Sequence, residues 1–209
     1  LQSSLSDNDD KEAASQVVTA ARSRLNMLDA GVSIIEESMM ATEAFLKARS
    51  GWNAVINADA AIREATALAE EMSKENILAS QAKGNEALAF LEEAQQDFSQ
   101  AEAAYPSLDL AAFKAYVAKR IESQQAALAA DEAYLSRNKE ELEAQNSRYN
   151  ALEEEAAALA QKLGEDDPEQ IVALRFYEEI EADQGAYEAE RLKAGNADAF
   201  LREYLGTAS

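Results

Sequence analysis

The chain has 209 residues, 19 of them basic and 40 acidic, for a net charge of −21. That balance makes nucleic acid and anionic membrane surfaces poor partners for the chain as a whole. It contains no His and no Cys, so the commonest general base, the thiol nucleophile and the usual transition-metal ligands are missing. No catalytic residue, metal or cofactor is therefore expected.

Helix breakers are scarce, with 7 Gly and 2 Pro. Leu, Ile, Val and Phe make up about a fifth of the chain, close to the level of disordered, highly charged sequences. Periodicity argues the other way, because apolar residues keep three-and-four spacing over many turns. The expectation is a thin, Ala-rich core between closely approaching helices. No apolar run reaches the roughly 18 residues that a membrane span requires.

Residues 1–8 read as a flexible tether, a polar run from Leu1 through Gln2, Ser3 and Ser4 to Asn8. A start of this kind reads as what remains after a leader is removed, so a lipid or leader anchor before Leu1 is an expectation, with an arbitrary domain boundary as the alternative. It leads to the expectation of an extracytoplasmic or envelope location, with the cytoplasm as the alternative. Asp7 to Asp10 then supply N-cap candidates and negative charge for a helix start.

The first predicted helix has the cleanest pattern. Val18, Ala21, Leu25, Leu28, Val32, Ile35, Met39, Thr42 and Leu46 form an unbroken a/d heptad series. This stripe is expected to be the buried seam, with Leu28 and Ile35 in its middle. Ser50-Gly51 after Lys47 and Arg49 reads as a helix stop, placing a tight turn at 49–52. A second segment runs from about Trp52 to Ala104, and its apolar phase shifts near Gly84-Asn85, which predicts a bend. Tyr105-Pro106-Ser107 ends it.

The stretch from Ser107 to Leu163 has no Gly and no Pro. Ile121, Leu128, Leu135, Leu142, Tyr149, Ala156 and Leu163 recur every seven residues, so it reads as one rod of roughly 80 Å. Gly164 to Asp167 form a loop, with Asp167 capping a helix that starts at Pro168. That helix is expected to stop at Gly195, followed by a short helix carrying Phe200, Leu201, Tyr204 and Leu205. Residues 206–209 should fray.

Short turns make consecutive helices antiparallel. The expected fold is all-α: an elongated antiparallel bundle of three very long helices, a shorter C-terminal helix and a terminal helical turn, with coiled-coil-like packing over 9–205. Its proportions resemble spectrin in shape only.

Two features stand out as candidate partner-binding groups. Gln124, Asp131, Asn138 and Gln145 recur every seven residues beside the Leu seam, as a polar row facing a groove or lying at the bundle's edge. Phe176, Tyr177 and Tyr187 concentrate aromatic surface toward the C-terminus. The acidic clusters at 7–10 and 165–167 lack the ligand spacing of a calcium loop and read as helix caps. The expected function is a non-enzymatic structural or protein-interaction module, a spacer or adaptor in an envelope-anchored or secreted bacterial protein. Its partner is another protein or a further copy of itself. The alternatives are a helical sensor or ligand-binding ectodomain and an intracellular coiled-coil scaffold.

Overall fold

The computed structural model describes residues 2–164 and 166–207, with side chains from Asp10 to Gly206. Leu1, Glu165, Ala208 and Ser209 lie outside the described residues, as do the side chains of Asp7, Asn8 and Asp9. Among the described residues the fold is an all-α bundle of five helices: α1 Gln2–Ala69, α2 Lys74–Ala104, α3 Ala111–Leu135, α4 Lys139–Leu163 and α5 Pro168–Thr207. The residues divide into two compact units, 1–39 with 176–209, and 40–175. Among the described residues no helix is long and apolar enough to cross a membrane.

The first unit is an antiparallel helix pair. Arg24 on α1 donates to both carboxylate oxygens of Asp198 on α5, at 2.8 and 2.7 Å. Nine residues further along α1, Ser33 donates to Asp183 at 2.6 Å. The Tyr204 hydroxyl donates to Asp10 at the other end. Rising numbers on α1 meet falling numbers on α5, which fixes the direction. The α1 face inside this pair is small: Ala13, Ala20 and Ser23 are buried. Gln16, Met27, Ala30, Ile34 and Glu37 continue it, half-buried, at three-and-four spacing. Ile180, Ala194 and Ala197 are the buried residues opposite.

The second unit packs the remainder of α1 with α2, α3, α4 and the first two turns of α5. Its apolar centre is aromatic. Phe113 stands edge-on to Trp52, ring centroids 5.7 Å apart, and 5.8 Å from Phe98. Phe98, Leu91, Leu110 and Val117 are fully enclosed. Beside this core, Arg120 on α3 joins three helices. It donates to Asp59 on α1 at 2.7 Å and to the Tyr116 hydroxyl at 2.8 Å, and it lies 3.8 Å from Glu153 on α4.

Several sequence expectations are corrected by these helices. The rod from 107 to 163 is a hairpin. Arg137 takes a left-handed φ of 58°. The Asn138 amide then bonds back to Ala133 O, and the Arg137 amide to Tyr134 O. This is a Schellman closure built without glycine. Asn138 also caps α4, its side chain accepting from the Glu141 amide at 3.2 Å.

The stop at Gly51 is not a stop; α1 runs through it to Ala69. A Cβ there would lie 2.9 Å from Phe98 Cε1 and 3.2 Å from Ala94 O. The glycine lets two helices touch. Gly84 does the same between α2 and α3, against Gln124 and Leu128, and α2 continues through it. α1 ends at Ala69, Met72 turns the chain with φ 47°, and Ser73 caps α2 through the Asn76 amide.

At the C-terminal end, α5 passes Gly195 without interruption, so the separate terminal helix merges into one of 40 residues. The backbone of 2–8, read as a tether, is helical as part of α1. Gly164, with φ 61°, ends α4 as its sequence position implied.

A further correction concerns which face is inside. Leu28 is 66% exposed and Ile35 60%. The heptad stripe is on the outside.

Candidate interaction face

Two stripes run along α1 within the first unit. Both follow three-and-four spacing, displaced by five residues, or about 140° round the helix. The small-residue stripe of Ala13, Ala20 and Ser23 is buried against α5. The large-residue stripe of Val18, Leu25, Leu28, Val32, Ile35 and Met39 is exposed along its whole length, with Val17 beside it. The buried face is not uniformly small, since Met27 and Ile34 are half-buried on it and Ile180 is buried on α5, and hydrogen bonds such as Ser33 to Asp183 lie inside the seam.

Together these seven side chains present roughly 700 Å² of contiguous apolar surface, above the usual largest patch of a monomer at about 300–600 Å². Its margins are charged in a directional way. Arg22 flanks the N-terminal part, and Asp29 and Glu36 the C-terminal part. Arg22 and Glu36 are exposed and form no ion pair among the described residues. Arg24, on the opposite margin, is held by Asp198.

The buried seam behind the stripe is electrostatically uneven. Glu37 Oε2 is enclosed and accepts no hydrogen bond. Burial, then the charges of Asp183 and Glu179, push the Glu37 carboxyl above its ordinary range. Glu190, two turns along α5, goes the other way: Lys193 and Ser23 donate to it and lower its pKa.

The polar row expected on one helix is divided by the hairpin. Gln124 and Asp131 lie on α3, Asn138 in the turn and Gln145 on α4. Gln124 is buried at 5% exposure. It lines a groove of about 180 Å³ with Asp131, Ser80, Asn146 and Tyr149. Asp131 accepts from the Ser80 hydroxyl at 3.2 Å, and burial raises its carboxyl pKa against that bond. Burial likewise raises the Tyr149 phenol. Gln145 donates to Glu141 one turn back at 2.7 Å. Gln124 and Asp131 are thus brought together, while Asn138 and Gln145 serve local helix geometry.

The aromatic cluster is partly assembled. Phe176 and Tyr177 rings lie 5.8 Å apart, with Tyr177 exposed. Phe176 and Tyr187 are half-buried on α5.

A larger cleft of about 530 Å³ opens at the α3–α4 turn, lined by Lys74, Tyr134, Leu135, Arg137, Lys139 and Leu142 among others. Its three cations have no ion pair among the described residues. The sequence reading missed this cleft because it missed the turn. No cluster of metal-ligating side chains occurs among the described residues.

Comparison with known proteins gives no relative: no family model, no curated protein and no solved structure matches the chain.

Proposed function

We propose that this chain is a non-enzymatic protein-interaction module that docks another helix along the outer face of α1. The observation that carries the reading is the exposed stripe from Val18 to Met39. An a/d series of Val, Leu, Ile and Met is the pattern that packs knobs into holes against a facing helix. In water, leaving it open forgoes about 25 cal/mol for every Å² that a partner would cover. An extracytoplasmic site of action, envelope-anchored or secreted, belongs to the same proposal. Cell fractionation decides between it and the cytoplasm.

The test is a photo-crosslinking residue at position 28, with the exposed flank position Thr19 as control, in the chain expressed in its own cells. The expected result is a polypeptide adduct from position 28 and none from 19. No adduct at 28 would remove the reading.

The cationic cleft favours a second reading, a helical domain that binds a small organic anion. Its volume lies in the ordinary range for ligand sites, and Lys74, Arg137 and Lys139 supply the charge. Stabilisation by a panel of organic anions that disappears in Arg137→Ala would support it.

A further inference from the structure

We infer that the occupant of the α1 outer face is a second copy of this chain, laid antiparallel along the stripe. The inference rests on the docking role proposed above and names its partner.

Area is the first argument. Two copies covering each other's stripe would remove about 1,400 Å² in total, within the roughly 1,200–2,000 Å² of a stable specific interface. A two-fold interface must be self-complementary, with each patch meeting itself.

Register supplies that complementarity. In an antiparallel pair, a positions of one helix meet d positions of the other. Leu25 then meets the partner subunit's Ile35, Leu28 meets the partner subunit's Val32, and Ala21 meets the partner subunit's Met39. Each layer joins a large residue to one that fits it, and each occurs twice by symmetry.

Charge supplies the direction. The same register brings Arg22 beside the partner subunit's Glu36, twice over. Both groups are exposed and unengaged in ion pairs among the described residues. A parallel pair would instead set Arg22 against the partner subunit's Val17. It would also leave Glu36 beside the partner subunit's Gly31. The antiparallel arrangement gains two Arg22–Glu36 pairs against one Asp29–Asp29 contact at the two-fold axis, whereas a parallel pair would set the partner subunit's Asp29 beside Arg24, which Asp198 already holds.

The experiment is sedimentation of the whole chain over a range of micromolar concentrations. The wild type should approach twice 22.7 kDa, and Leu28→Glu and Ile35→Glu should each sediment as monomers. Both sites are exposed, so unchanged helical circular dichroism certifies that these variants still fold. Arg22→Glu or Glu36→Arg should each weaken association about tenfold, and the double swap should restore it.

A dimer that ignores Leu28→Glu overturns the interface. One lost in Leu28→Glu but indifferent to the charge swaps overturns the antiparallel register. A wild type that stays monomeric overturns the second copy as occupant. If the position-28 crosslink then yields an adduct of another mass, the docking role stands without self-association. With no adduct, both fail.

Discussion

Ser23 and Leu28 sit five residues apart on one helix and face opposite ways: Ser23 is 3% exposed and Leu28 66%. The serine is packed between helices and the leucine meets solvent. Hydrophobicity alone assigns these two positions in reverse. The face turned to α5 is that of Ala13, Ala20 and Ser23, with Met27 and Ile34 half-buried beside them.

Stability should follow that burial. Leu28→Ala, measured by urea unfolding at a concentration where the chain is monomeric, should change stability by less than about 0.5 kcal/mol. Ala20→Leu, which forces a large side chain into the seam, should destabilise by about 1–3 kcal/mol. A loss of several kcal/mol at Leu28 in the monomer would place the stripe inside.

The glycines divide in the same manner. Gly31 has open space where a Cβ would go, so Gly31→Ala should gain up to about 1 kcal/mol from helix propensity. Gly51→Ala meets the Phe98 ring and a backbone carbonyl. The overpacking should exceed that gain and leave a net loss of about 1–2 kcal/mol. Thermal midpoints of the two variants should move in opposite directions.

Arg120 tests the polar centre of the second unit. Its guanidinium is mostly enclosed, and Asp59 and Glu153 lie on neighbouring helices. Arg120→Met keeps an apolar stem but removes the cation between the two carboxylates, of which Glu153 still accepts from the Ser123 hydroxyl. Because both retain some solvent access, the expected loss is about 2 kcal/mol, below that of a fully buried pair. Chemical denaturation at neutral pH measures it, and an unchanged midpoint would show the bridge to be ornamental.

Glu37 gives the first unit a pH dependence of known sign. Its pKa is raised in the fold above the ordinary 4.5, so the folded state binds the proton more tightly than the unfolded state. Its contribution is fully present below about pH 4.5 and is lost as pH rises through the folded pKa. Glu37→Gln should therefore be more stable than the wild type at pH 7, and the difference should vanish as pH falls toward 4.5. Thermal unfolding at several pH values reads this directly. Glu190, whose pKa is lowered, contributes in the opposite direction and is unaltered in the comparison.

The all-α class, the Gly164 helix end and the Pro168 helix start were legible because periodicity and capping chemistry are local. The hairpin at Ser136–Asn138 was not. Arg137 adopts a left-handed backbone that composition does not announce, and the seven-residue spacing of Leu135 and Leu142 continues across the turn. Gly51 and Gly84 misled for a related reason: a glycine that ends a helix and one that admits a neighbouring helix look alike in sequence. The α1 stripe was found as a pattern but set on the wrong face. A series of large apolar residues says that something packs there. It does not say whether that partner lies within the same chain. The parallel series of Ala13, Ala20 and Ser23 was the available sign that another face was competing for the interior.

The two faces of α1 can be distinguished by thiol labelling, because the chain has no Cys and each introduced one reports alone. Leu28→Cys should be alkylated rapidly in dilute solution and become protected as concentration rises, while Ala20→Cys should be protected throughout. Rapid labelling at Ala20 with protection at Leu28 in dilute solution would contradict the account.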